Sequence, residues 1–209
     1  MPEKNSARPS QRRTPLLIVI SGPSGVGKDS VLNYLKKSLV NTRFVITLTT
    51  RDKRPKEKDG LDYHFVSRER FQKLLQQEEL LESATVYNNY YGVPKQAVRD
   101  AFKEGNDAVV KVDVQGAANI KNIVPDAVFI FLAPPSLQEL ETRLTLRYTE
   151  SPAQLATRLT AARNEMQQVT SFDYVVVNYD DELEVAVDEI KAIITAEKLR
   201  VNPRQISLA

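Results

Sequence analysis

The chain has no cysteine, a single histidine and no apolar run of the ~18 residues that a membrane span requires. Without cysteine there are no disulfides and no thiolate metal sites, and a reducing cytoplasm is the expected setting. His64 has no second histidine to join it, so a histidine-based metal site has little support. The segment Met1 to Thr14 carries Lys4, Arg8, Arg12 and Arg13 but no apolar stretch, so it lacks the core of a secretory signal. Its composition favours a disordered basic tail over an organellar transit peptide. Lysine plus arginine (29) barely exceeds aspartate plus glutamate (27), so total charge gives no reason to expect a nucleic-acid partner, and nothing points to a membrane. There is no internal repeat and no low-complexity segment.

What is present fits an ordinary soluble globular protein. The 209 residues, 42% hydrophobic and 27% charged, suffice for one core with smaller subdomains inserted into it. Leu16-Leu17-Ile18-Val19-Ile20 reads as a strand buried on both faces, as do Ala108 to Asp113, Ala127 to Leu132 and Tyr174 to Val177. Helical segments alternate with them, from Lys28 to about Leu39, Pro94 to Lys103, Ser136 to about Thr145, Pro152 to Gln168 and Glu182 to Lys198. Ser136 and Glu139 have capping-box spacing. Strands alternating with helices predict an α/β fold, a parallel sheet covered on both faces, over residues 15–209. Two stretches interrupt it. Residues 47–97 offer short strands, Asp62 to Val66 and Ser83 to Tyr87, around a helix from Ser67 to Gln77, which predicts an insertion with a small mixed sheet. Residues 139–164 are helical and rich in arginine.

Gly22-Pro23-Ser24-Gly25-Val26-Gly27-Lys28 follows the first buried strand and opens a helix, the context that makes a phosphate loop credible. Glycines let successive N–H groups turn inward around phosphate oxygens, the helix amino terminus adds partial positive charge, and Lys28 reaches the β- and γ-phosphates. Ser or Thr usually follows the lysine and helps hold magnesium. Here Asp29 stands in that place and Ser30 supplies a hydroxyl one residue late.

Between Arg51 and Lys58 five basic residues (Arg51, Lys53, Arg54, Lys56, Lys58) meet two acidic ones. The lysines read as a solvated loop. Arg51 and Arg54 are candidates for phosphate, because guanidinium forks pair bidentately with it, and Tyr63 and Tyr91 could add hydroxyl donors. His64, inside Asp62-Tyr63-His64-Phe65, reads as a strand residue and not a catalyst.

Thr49 to Pro55, Asp59 to Ser67, Asn89-Tyr90-Tyr91-Gly92 and Val112-Asp113-Val114-Gln115-Gly116, in this order behind the phosphate loop, resemble the successive signatures of guanylate kinases. The match runs from about Leu16 to Glu197. The resemblance implies a phosphate-loop core, a GMP-binding insertion at 47–97 and a helical lid at 139–164. It implies Mg-dependent transfer from ATP to GMP, and to dGMP. Gly22, Pro23, Ser24, Gly25, Val26, Gly27, Lys28, Asp29, Ser30 and Arg143 would then hold ATP, with Ser30 and Asp113 at the magnesium. Arg51, Arg54, Tyr63 and Tyr91 would hold the GMP phosphate. Glu82 would read guanine, Thr47 would touch the base, and Asp113 would end a core strand near base and metal. Lys28, Arg51, Arg147 and Arg158 would stabilise the transferring group, while the blander reading of the lid arginines is an exposed helix with ion pairs such as Glu139 to Arg143.

The chain departs from the family pattern at three places. Beside Asp29, Val93 stands where Ser or Thr usually bonds the guanine carbonyl, and Lys111 stands where an acid is usual. Asp29 and Lys111 either compensate each other, or Asp29 points to solvent or approaches magnesium directly while Lys111 reaches water along its stem; a separation within about 4 Å would mark the pair. Two other functions share the resemblance: a scaffold module that binds phosphopeptides, against which the intact loop argues, and a phosphosugar kinase, which would share the acid after the lysine. Glu82 with Val112 to Gly116 favours the nucleotide.

Overall fold

The structure is a computed structural model that describes residues 14–55, 57–86, 88–145 and 152–208. The first half of the chain forms β1 (Leu17–Ser21), α1 (Lys28–Ser38), β2 (Thr42–Phe44), β3 (Leu48–Thr49), β4 (His64–Phe65), α2 (Arg68–Gln76), β5 (Leu80–Val86) and β6 (Asn89–Pro94). There follow α3 (Lys95–Lys103), β7 (Asp107–Lys111), α4 (Val114–Ile123), β8 (Val128–Ala133), α5 (Leu137–Thr145), α6 (Pro152–Gln167), β9 (Tyr174–Val177) and α7 (Leu183–Lys198).

β1 is buried along its whole length, because it is the middle strand of a five-stranded parallel sheet ordered β2-β7-β1-β8-β9. Strand alternation divides its apolar side chains between two layers. Ile18 and Ile20 pack with Val31 and Leu35 of α1 and Val187 and Ile190 of α7, while Leu17 and Val19 pack on the other face with Val98 of α3 and Ala117 and Ile120 of α4. Both faces are covered, as a parallel sheet requires. A second, mixed sheet, ordered β4-β3-β6-β5, packs Leu48 and Leu80 against Phe71 and Leu74 of α2. Ser67 caps α2 by accepting from Arg70 N–H, and Ser136 accepts from Glu139 N–H at the start of α5. Leu140 and Leu144 of α5 pack on Ala162 of α6.

The chain switches direction across the sheet at β1, with β7 on one side and β8 on the other. Ligands bind at the carboxyl ends of strands at such a point. The expected basic tail, apart from Thr14, and Lys56, Tyr87 and Arg147 lie outside the described residues. No helix among the described residues is long and apolar enough to cross a membrane.

Candidate active site

The loop after β1 folds so that α1 begins at Lys28. Gly22 has φ +146°, and a Cβ there would lie 2.1 Å from the carbonyl oxygen of Leu132, so glycine alone lets the chain leave β1 against β8. Val26 N–H donates to the Pro23 carbonyl at 3.3 Å. The loop is also held from below. Asn178 donates through Nδ2 to the Val26 carbonyl at 2.8 Å, and Arg143 donates through Nη1 to the same oxygen at 3.4 Å. Lys28 folds back on the loop, its Nζ 2.6 Å from the Gly22 carbonyl and 3.1 Å from that of Pro23. Burial lowers this ammonium to a pKa of about 8, against the pull of Glu165.

Arg143 is almost fully enclosed. Its guanidinium donates to the Asn178 carbonyl at 2.9 Å and pairs with Asp180 at 2.7 Å. Its Nε stands 3.4 Å from Glu139, at ion-pair distance but without hydrogen-bond geometry. The helical i, i+4 ion pair is therefore present, yet the same side chain grips the phosphate loop. Arg158 is half-buried on α6. Seven residues further, on the same face, Glu165 reaches the loop itself: its Oε2 accepts from Ser24 N–H at 3.1 Å. Burial raises this carboxyl, and the Ser24 N–H and Lys28 partly offset the rise. Sequence reasoning gives no place to Glu165 or Asn178. The one available signal for Glu165 is its heptad spacing from Arg158.

Across the cleft, the mixed sheet carries the acceptor-side candidates. Arg51 follows β3 and pairs bidentately with Glu57, Nη2 to Oε1 at 2.8 Å and Nη1 to Oε2 at 3.0 Å. Glu57, and after it Tyr91, raise the guanidinium pKa further. The Arg51 guanidinium also lies 5.5 Å over the Tyr63 ring, and Tyr63 meets Tyr91 edge-on at 6.0 Å. Three of the four candidates for the GMP phosphate thus stand together. The fourth, Arg54, is exposed and lines one open cleft together with Thr47, Glu57, Tyr63, Asp29 and Lys111. Glu57 is a further residue that sequence reasoning did not single out. His64 lies in β4, its backbone N–H bonded to the Thr47 carbonyl, a strand residue as expected.

Glu82 lies in β5, 5% exposed, with Oε1 lacking any hydrogen-bond partner. Burial, and then Asp113, push its carboxyl up to about 7, while a hydrogen bond from Asn119 opposes them. Gly116 of α4 leaves the room it needs, since a Cβ there would come within 2.9 Å of Oε1. Val93 lies directly across the β5–β6 ladder from Glu82 and is fully buried in the apolar layer. Asp113 does not end a strand. β7 stops where Ile20 pairs with Lys111, and Asp113 caps α4, its Oδ1 accepting from Gly116 N–H at 2.7 Å. Its charge acts on Lys28, Glu82 and Glu165 together.

The two charge departures meet. Lys111 Nζ stands 2.6 Å from Asp29 Oδ1, so the reading in which each points separately to water is set aside. Nζ also donates to the Tyr63 hydroxyl at 3.3 Å. Burial lowers the lysine pKa, and Tyr63 and Asp29 more than reverse that, leaving it raised. Ser30, the next residue of α1, is exposed. No group of three or more acids or histidines close enough to hold a metal occurs among the described residues.

Residues 13–197 match the family model described as guanylate kinase. The chain is 47% identical over 186 residues to the guanylate kinase of Desulfitobacterium hafniense, covering 89% of this chain and 92% of that one. It is 46% identical over 195 residues to the chloroplastic/mitochondrial guanylate kinase 2 of Oryza sativa, covering 93% and 68% of the two chains. Among solved structures it is similar to the guanylate kinase of Anaplasma phagocytophilum, with a TM-score of 0.75, 33% identity, and coverage of 90% of this chain and 89% of that one.

Proposed function

Because the chain belongs to the guanylate kinase family, we propose that it moves the γ-phosphoryl group of ATP onto GMP, and onto dGMP. A phosphate oxygen of GMP attacks the γ-phosphorus, a new P–O bond forms as the bond to the β-phosphate oxygen breaks, and ADP leaves. No general base is needed, because the attacking phosphate is already an anion. Catalysis then rests on alignment and on positive charge where the transferring group gathers negative charge. Lys28, with Arg147 and Arg158, supplies that charge from the donor and lid sides, and Arg51 from the acceptor side. For Arg51 to do so, the acceptor phosphate must displace Glu57 from its fork.

A magnesium ion bound with the ATP phosphates would neutralise charge on them, and Ser30 and Asp113 are the residues that would hold it. A hydroxyl and a carboxylate are the hard oxygen donors magnesium takes. Residues 47–97 serve as the GMP-binding insertion and residues 139–164 as the lid. Closing the lid would exclude water, the competing acceptor.

The observation that best supports guanine is the buried Oε1 of Glu82 without a partner. Guanine presents a ring N–H and an exocyclic amine to such a carboxylate, and adenine presents neither there, so only guanine would pair the buried group. A panel of GMP, dGMP, AMP and ribose bisphosphate, read as ADP formed from ATP, tests the proposal. GMP and dGMP should be consumed and AMP rejected. Turnover of ribose bisphosphate alone would make the protein a phosphosugar kinase, and no turnover of any acceptor would make it a binding module.

A further inference from the structure

Three elements that serve different substrates meet at one ammonium. Asp29 belongs to the first turn of the helix behind the phosphate loop, Lys111 ends a core strand, and Tyr63 precedes β4 in the mixed sheet. Lys111 donates to Asp29 at 2.6 Å and to the Tyr63 hydroxyl at 3.3 Å, its Nζ 4.9 Å from the centre of the tyrosine ring. A phenol hydroxyl has one proton to donate and lone pairs to accept. With Lys111 donating to this oxygen, the Tyr63 proton is left for another acceptor, on a ring that stands beside Arg51 and Tyr91. A hydroxyl that accepts from a cation is also a stronger donor, since successive hydrogen bonds polarise one another.

The lysine cannot do this alone. At 22% side-chain exposure an unpaired ammonium would be costly, and it would also repel Lys28. Asp29 neutralises it, and in turn Lys111 keeps the Asp29 carboxylate from repelling bound phosphate. We propose that Asp29 and Lys111 are positioning residues for the acceptor: Asp29 fixes the Lys111 ammonium, and that ammonium fixes and polarises the Tyr63 hydroxyl against the acceptor phosphate. A residue of the donor loop helix thereby sets acceptor affinity. The inference rests on the reading of GMP as acceptor.

The test is a double-mutant cycle on the full chain, with ADP formation followed at varied GMP and at varied ATP. Tyr63→Phe deletes only the hydroxyl, and Lys111→Met only the charge at similar length. Each should raise the KM for GMP about tenfold, the size of a charge-linked hydrogen bond, and in Tyr63→Phe, which leaves the Asp29–Lys111 pair intact, the KM for ATP should stay within about twofold of wild type. Asp29→Asn should raise the GMP KM in the wild-type background and leave it unchanged in Lys111→Met, because the proposed route to the acceptor runs through the lysine. Lys111→Arg should restore most of the GMP affinity. Equal effects of Asp29→Asn in both backgrounds, or losses confined to ATP, would overturn the relay while leaving the kinase intact. A wild-type protein that turns over ATP without GMP dependence would overturn the functional reading and the relay with it. Melting temperatures recorded for every variant separate a lost contact from a lost fold: a GMP defect that merely tracks the melting temperature across the set counts against the relay.

Discussion

A carboxylate that accepts from two guanine donors must be ionised, and burial with Asp113 nearby holds the Glu82 pKa to about 7. A proton therefore competes with the base. GMP affinity should be full above pH 7 and fall as pH drops through it, by up to about tenfold per unit. Glu82→Gln cannot titrate and offers one acceptor where guanine needs two. It should lose roughly 2–4 kcal/mol of kcat/KM for GMP, keep its ATP affinity, and show a flatter profile. The second ionisation of the GMP phosphate, near pH 6, is common to both proteins, so the difference between the two profiles belongs to Glu82. A pH dependence unchanged in Glu82→Gln would assign the titration to another group. At this scale the sequence shows residues that sit inside motifs, such as Lys28 and Arg51, with Glu82 added by the family resemblance. It hides those that act only through distant partners. Glu165 bonds to a residue 141 positions away, with only its heptad spacing from Arg158 to hint at it, and Asn178 bonds to one 152 away with no local signal at all. Glu57 was in plain view, three residues after Arg54, but as one acid in a basic loop it carried no signal of its own.

Among elements, legibility follows how far local pattern and tertiary burial agree. β1 reads directly because five successive apolar residues have no other use, and α5 because its cap is written as Ser136 and Glu139. β2 has three residues and exists only by pairing with β7. β6 contains Gly92 and ends in Pro94, residues that suggest a turn, yet β5 and β3 hold it as the inner strand of the mixed sheet. α4 has Gly116 in its first turn, which lowers helix propensity, and burial of Val114, Ala117 and Ile120 overrides it. α6 joins the two sides of the proposed chemistry. Arg158 and Glu165 lie on one face, about 10 Å apart along the axis, and Glu165 occupies a loop N–H suited to a phosphate oxygen. Arg158→Ala, and Arg147→Ala with it, should lower kcat by at least about tenfold and leave GMP binding measured without ATP close to wild type. Equal losses in both would make them ground-state binders. Glu165→Gln removes the charge that competes with ATP for the loop. It should tighten ATP binding several-fold by calorimetry, on the order of 1 kcal/mol, and weaker binding would show that the carboxylate assists the nucleotide.

Across the whole molecule, chemistry and stability occupy opposite ends of the central sheet. The phosphate loop, Lys111 and Asp113 lie at the carboxyl ends of the strands, while a polar network ties the amino ends. Asp107 accepts from Leu16 N–H at 3.0 Å and pairs with Lys198 at 2.5 Å. Beyond α7, Arg204 donates to Glu197 at 2.8 Å and 2.9 Å and to the Ala127 carbonyl at 2.9 Å, and Tyr174 donates to Glu197 at 2.6 Å. Arg204, and Tyr174 behind it, outweigh burial and hold the fully buried Glu197 carboxyl down at about 2. A folded-state pKa below the ordinary 4.5 means the unfolded chain binds the proton more readily. The stabilisation, on the order of 3 kcal/mol, is therefore present above about pH 4.5 and lost as pH falls toward 2. Arg204→Ala leaves a buried carboxylate without its cation, at a cost of about 3–5 kcal/mol at neutral pH. The gap between wild type and variant in urea unfolding should narrow between about pH 5 and about pH 3, because protonation removes the stranded charge from the variant and the pairing from the wild type. Kinetic constants for GMP and ATP should not change at a temperature where both are folded, since the network lies a full strand length from the substrates. A constant gap across that pH range would mean that Arg204 acts through packing and the Ala127 carbonyl, with Glu197 carrying little of the effect.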